Sequence, residues 1–215
     1  MAQDKIINNI KIIAKGEVIV SVCIKNQPLA EADKIVLDKV NWGFTEYTPY
    51  VHARIVYDKT GFDVEFYVKE SNPLREKTEH FQSVSEDSCV EFFVKFDPEN
   101  SDEYINFEVN ASGIMRADVR TDRYNFKSLT LEDVESLNIT PDIKEDHWTV
   151  RYKIGIDLVK KYYPGFDIDK CKYLLGNLYK CGSKTKTRHY MTLFELKCEK
   201  PDFHRPEYFG VIELA

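Results

Sequence analysis

Apolar residues recur at every second position through most of this sequence, and that spacing leaves few folds open to it. Side chains two apart share one face of an extended strand, whereas a helix needs intervals of three and four. "EVIVSVCI" sets Val18, Val20, Val22 and Ile24 on one side, "YVHARIVY" sets Val51, Ala53, Ile55 and Tyr57, and "FDVEFYVKE" sets Phe62, Val64, Phe66 and Val68. The last two runs are separated by "DKTG", residues 58–61, whose turn chemistry predicts a hairpin. Further strands are expected at 113–120, 147–156, 173–181, 188–194 and 207–214, and short helices only at "LTLEDVESL" and "GIDLVKKYYPG". About ten short antiparallel strands with one or two short helices predict an all-β sandwich of jelly-roll type. No linker or repeat interrupts residues 1–215, so one domain is expected.

Charge and cysteine usage narrow the tasks open to such a domain. Acidic residues (36) outnumber Lys and Arg (30) and no basic block occurs, which argues against binding nucleic acid. No segment approaches the roughly 20 apolar residues of a membrane helix, and the opening "MAQDKIINNIKIIAKG" lacks the apolar stretch of a signal peptide, so the chain as written is expected to be cytoplasmic. The five cysteines, at 23, 89, 171, 181 and 198, show no C-x-x-C pair and read as free thiols rather than zinc ligands.

The unusual residue is Glu91, a carboxylate inside the apolar run "SEDSCVEFFVKFD". Period two puts Val90, Phe92, Val94 and Phe96 on the core face, and Cys89, Glu91, Phe93 and Lys95 on the other. In "YINFEVNASG" the same count buries Ile105, Phe107 and Val109, and leaves Tyr104, Asn106, Glu108 and Asn110 on the second face. If the two strands pair across the short "DPENSDE" loop, these second faces merge into one polar and aromatic surface. Such a surface suits saccharides, whose rings stack on aromatic side chains and whose hydroxyls meet carboxylates and amides. The plainer alternative is that Glu91 forms a surface ion pair with Lys95 or an Arg, which contributes roughly 0–1 kcal/mol.

"DSCVEFFVKFDPENSDEYINFEVNASG", then "LLGNLYKCG", then "DFHRPEYFGVIEL" resemble, in this order, carbohydrate-binding module family nine, in its free-standing variant. The resemblance implies a non-catalytic sugar-binding β-sandwich that assists carbohydrate breakdown, with a saccharide ligand and a glycan-degrading enzyme as partners. It places Glu91 where family members hydrogen-bond the sugar, Phe203 where they stack a Trp on it, and Asn177 and Tyr179 on the strand that supplies polar contacts. Glu108 falls near a position where the family uses Arg, and Cys89 lengthens the strand start after Asp87. No Trp precedes the Glu91 strand, so Phe81, His80 or Arg75 would stand in for a second stacking residue. His204 and Arg205 are candidate rim contacts, Arg205 alternatively tying the terminal loop to a carboxylate such as Glu91.

Other readings stay open at this point. Glu91 and Glu108 as cross-strand neighbours could lie about 5 Å apart, the spacing of a retaining glycosidase pair. The fold could instead serve as a protein-interaction module. No cofactor is expected. Met115, His52, His80 and His189 are the haem-type ligands available, and Asp97, Glu99 and Asp102 in "DPENSDE" are candidates for a structural calcium ion. Trp42, in "VNWGF", reads as a core or rim anchor.

Overall fold

The computed structural model describes residues 10–14 and 17–215, of which 10–14 and 17–20 by backbone alone. The expected burial of Val18 and Val20, and most of the opening segment, thus lie outside the described residues. Two sheets face each other. The larger, ten-stranded sheet runs in spatial order Ile10–Ala14, Glu17–Ile24, Gly210–Leu214, Tyr173–Gly182, Cys89–Lys95, Tyr104–Asn110, Met115–Arg120 and Phe126–Ser128. His189–Thr192 branches from Tyr173–Gly182 and pairs in turn with Lys39–Val40. The five-stranded sheet runs Thr140–Ile143, Trp148–Gly155, Gly61–Val68, Val51–Asp58 and Ile35–Val36.

The alternating residues meet between these sheets. Phe62, Val64, Phe66 and Val68 pack in one core with Val90, Phe92, Val94, Ile105, Phe107 and Val109. The hairpin closes at Asp58↔Gly61, and the Asp58 carboxylate accepts the Thr60 N–H at 2.7 Å. Gly61 is required there twice over: its φ is +135°, and a Cβ would stand 2.1 Å from the Ile154 carbonyl oxygen of the adjoining strand. The two short helices form at Leu131–Ser136 and Ile156–Tyr162. Thr130 and Asp133 cap the first reciprocally, each side chain accepting the other's backbone N–H.

Three expectations need correction. The sheets are not wholly antiparallel, because Gly210–Leu214 pairs in parallel with Glu17–Ile24, and period two is blind to strand direction. Short strands at Ile35–Val36, Lys39–Val40, Phe126–Ser128 and Thr140–Ile143 carry too few residues to show a period. Most consequential, the second face of the large sheet is not an open surface. Cys89, Phe93, Tyr104, Tyr179 and Cys181 pack beneath Val84, Tyr190, Leu196 and Phe203 in a second apolar cluster, edged by Trp42, Phe44 and Phe209.

One core-facing position is charged. Lys180 follows Leu174 and Leu178 at even spacing and is fully buried at one end of the sandwich. Its Nζ stands 3.5 Å from Glu70 Oε2, 2.8 Å from His189 Nε2, and donates to the Cys181 carbonyl at 2.9 Å. Glu70 also accepts from Trp148 Nε1 at 2.9 Å and Ser88 Oγ at 3.0 Å.

Candidate functional site

Strand register lines up the polar residues of the covered face. Glu91 is opposite Tyr179 on one side and Glu108 on the other, and Glu108 is opposite Arg116. Above the two carboxyls the covering loops leave a pocket of about 200 Å³. Glu91, Glu108 and Cys181 line it from the sheet, Trp42, Tyr190, Phe203 and His204 from the loops and the branching strand, and Ser85, Ser183, Arg123, Pro201 and Asp202 complete it. Small-molecule sites span roughly 300–1,000 Å³, so this one has room for a single small polar molecule.

The two carboxyls are buried in different company. Glu91 is 2% exposed, and its Oε1 has no hydrogen-bond partner among the described residues. Burial pushes its pKa well above the carboxylate range, and the neighbouring Glu108 charge adds to the rise. Glu108 accepts from Asn106 Nδ2 at 2.8 Å. Burial raises it to about 7, against the opposing pull of Arg120 and Arg116. Those arginines form a framework below: Arg120 Nε donates to Asn106 Oδ1 at 2.7 Å, and Arg120 and Arg116 share Asp118 at 2.6 and 2.9 Å. His204 stacks on Phe93 at 4.9 Å, with Nδ1 3.1 Å from the Tyr104 hydroxyl. Burial, reinforced by Arg120 and Arg123, drops its pKa to about 3, so its 4.0 Å approach to Glu108 is that of a neutral ring. At the mouth Arg123 pairs with Asp202 at 2.8 Å.

Of the residues expected at a site, Glu91, Glu108, Phe203 and His204 come together here. Others take framework roles. Asn177 is fully buried, its amide donating to the Phe194 carbonyl at 3.0 Å and accepting the Phe194 and Leu178 N–H groups. Tyr179 is also fully buried, and its hydroxyl donates to the Phe203 carbonyl at 3.2 Å. Phe203 stacks on Tyr179 at 4.2 Å and leans on Trp42 at 5.6 Å, so its ring is already engaged by the protein. Arg205 does not reach Glu91; it pairs with its neighbour Glu207. Arg75 is exposed and lines a separate cavity. Phe81 packs against the core, and His80 Nδ1 accepts the Met115 N–H at 3.0 Å. The expected surface ion pair is also absent: Lys95 stands 3.7 Å from Asp102, and no ion pair of Glu91 occurs among the described residues.

The metal and haem candidates are scattered. Asp97 accepts from Asn100, Glu99 faces the Tyr173 hydroxyl, and Asp102 faces Lys95. Among the described residues no three His, Cys, Asp or Glu side chains are grouped to hold a metal. Met115 is core, His52 stacks on Tyr67 in the other sheet, and His189 belongs to the Lys180 cluster. Asp87, before the Glu91 strand, accepts the Glu76 and Lys77 N–H groups and holds that loop down.

The residues that sequence reasoning missed are instructive. Cys181 shares its face with Asn177 and Tyr179 at period two and was within reach. Tyr190, Ser85, Ser183, Arg123 and Asp202 arrive through long-range loop packing that no local spacing reports. Trp42 belongs to the rim, its indole N–H donating to the Cys198 carbonyl at 2.8 Å. The framework role of Tyr179 is checkable: Tyr179→Phe should cost about 1–2 kcal/mol in chemical denaturation, from the lost bond to a buried carbonyl, and leave ligand affinity unchanged.

A β-sandwich whose polar pocket is sunk into one sheet and walled by aromatic rings is a ligand-binding module. The comparisons say of which kind. The model of the family described as "Carbohydrate-binding family 9" matches residues 25–214, and the chain belongs to that family. Its fold is shared with a proposed carbohydrate-binding protein from Bacteroides uniformis ATCC 8492, at a TM-score of 0.78, 24% identity, and coverage of 91% of this chain and 99% of that one. A family 9 module from Caldicellulosiruptor kristjanssonii in complex with cellotriose superposes at 0.65 with 10% identity, covering 90% and 93% of the two chains. The same source's module in complex with glucose gives 0.65, 10% identity, and 91% and 95%. The search of curated proteins finds no match.

Proposed function

We propose that this protein binds a saccharide, without catalysing its cleavage, in the pocket over Glu91 and Glu108. The observation that carries the reading is the Glu91 carboxyl: buried, facing the pocket, and with one oxygen unpartnered. A polar atom left so is costly unless a ligand completes it, and a sugar hydroxyl supplies the matching donor. Family membership supports the same conclusion, as do the fold relatives solved in complex with cellotriose and glucose. The module would hold glycan for an enzyme that degrades it.

The hydrolase alternative is less well supported. A glycosidase sets its two carboxyls on either side of the bond to be cut. Glu91 and Glu108 are neighbours in one sheet and would face the same side of a bound ring. Both pKa values are also raised, which leaves no ready nucleophile.

Titration calorimetry with a panel of monosaccharides and oligosaccharides tests the proposal. At least one sugar should bind, and Glu91→Ala should weaken it by about 10- to 100-fold, the cost of leaving a buried sugar hydroxyl without its partner. Chromogenic glycosides should not be turned over. Failure of every sugar in the panel to bind would remove the reading.

A further inference from the structure

Resting on that saccharide reading, we propose that the ligand is an oligosaccharide: one ring enters the pocket, and the chain beyond it lies over the Arg123 turn and stacks on Tyr124 and Phe126. Volume sets the first limit. A pocket of about 200 Å³ holds one small ring, and the sheet closes it below, so a longer glycan leaves through the mouth where Arg123 meets Asp202.

Beyond Arg123 the surface is aromatic. Tyr124 follows it directly, with Cα atoms about 3.8 Å apart, and is 82% exposed. Phe126 is 49% exposed and pairs in register with Arg120. Arg120 and Arg116 lie on the same side of their strand, and Arg116 is opposite Glu108, so Phe126 shares the sheet face of the pocket floor. A single exposed ring is ordinary on a protein surface. Of five large apolar side chains exposed among the described residues, however, two are these, and their grouping beside the mouth marks the strip as a contact surface.

The strip is held in place before any ligand arrives. Asp122 Oδ1 accepts the Tyr124 and Asn125 N–H groups at 2.7 and 2.9 Å, the Thr121 N–H donates to the Asn125 carbonyl at 3.2 Å, and Arg120 Nη1 donates to the Arg123 carbonyl at 2.9 Å. The guanidinium carbons of Arg120 and Arg116 stand 4.3 and 5.3 Å from the centre of the Phe126 ring, which rests on the arginine framework and is half open to water. Binding here therefore orders little of the backbone. The occupant that matches is carbohydrate. A sugar ring presents C–H groups to an aromatic face and hydroxyls at its rim. Arg123, half exposed and with one N–H given to Asp202, keeps further donors for those hydroxyls between the pocket and the rings. Continuity with the pocket favours the same ligand extending outward over a second partner that would block the mouth.

Calorimetry on the full chain with α- and β-linked gluco- and mannooligosaccharides of one to five units tests this. In the series that binds, affinity should rise at least about threefold between one unit and three, the gain of an aromatic contact, and level off once the rings are covered. Tyr124→Ala and Phe126→Ala should each remove part of the gain and together all of it, while the single sugar binds as before. Tyr124→Phe, which keeps the ring, should retain it. Both side chains are exposed, so the variants should melt close to wild type. Affinity that does not change with length, or a gain that survives the double substitution, overturns this inference and leaves saccharide binding intact. A double variant that differs from wild type in self-association but not in oligosaccharide affinity assigns the rings to a protein contact and overturns it too. Absence of binding by every sugar removes both conclusions.

Discussion

Replacing Lys180 with methionine should lower the unfolding free energy by about 3–5 kcal/mol, the cost of leaving one member of a buried ion pair alone. Methionine fills most of the lysine stem's volume, so the loss reports on charge rather than on a cavity. Glu70 is the group left behind. Burial by itself would raise its pKa, but the Lys180 charge and the Trp148 N–H more than offset this and hold it below the ordinary carboxylate value. Without Lys180 that carboxylate must protonate or unfold the end of the sandwich. The double variant Lys180→Met with Glu70→Gln should therefore recover part of the loss, a coupling that urea denaturation of the four proteins measures directly. A single-variant cost below about 1 kcal/mol would mean that the cluster is solvated and does not hold the sheets together.

The second large effect is the pH dependence of stability, in which two pairs of buried groups oppose each other. His189 is held neutral with a pKa of about 4, by burial and then by the Lys180 charge, and His204 is at about 3, against an ordinary 6.5 for both. Because these values are depressed in the folded protein, their contribution is complete above 6.5 and is lost as pH falls below it. Glu91 and Glu108 are raised above an ordinary 4.5, Glu108 to about 7, so their contribution is complete below 4.5 and is lost as pH rises. Between about 4.5 and 6.5 the two slopes cancel, near zero net proton uptake. Above 6.5 the carboxyls titrate differently in the two states, joined toward 9 by the buried thiols of Cys89 and Cys181, and stability falls. Each pH unit over which the folded chain holds one extra proton costs about 1.4 kcal/mol, and each kcal/mol moves Tm by about 2–4 °C for a chain of this size. The ligand-free protein should thus melt at clearly lower temperature at mildly alkaline than at mildly acidic pH, and Glu91→Gln should flatten the decline. A flat wild-type profile across that range would mean the carboxyls ionise freely in the folded state.

The alternating residues from Phe62 to Val109 locate the core correctly because period two reports which side of a strand a side chain takes. It reports nothing about what lies over that side. Glu91 and Glu108 do point away from the main core, as their spacing requires, yet they end beneath Phe203 and His204, supplied from about a hundred residues later. Asn177 and Tyr179 share one face for the same reason, while their partners, the Phe194 and Phe203 carbonyls, arrive by loop docking, which leaves no local repeat. Lys180 marks the opposite case. A lysine at a core position breaks the pattern openly, and only the distant Glu70 and His189 make it tolerable.

The covering of the large sheet sets an order of events during synthesis. Glu91 and Glu108 emerge from the ribosome well ahead of Phe203 and His204, and until those rings arrive the two acids sit in water with ordinary acidity. Leu174, Leu178 and Ile212 of the main core are also added late, so the sandwich and the cover over its pocket are completed together.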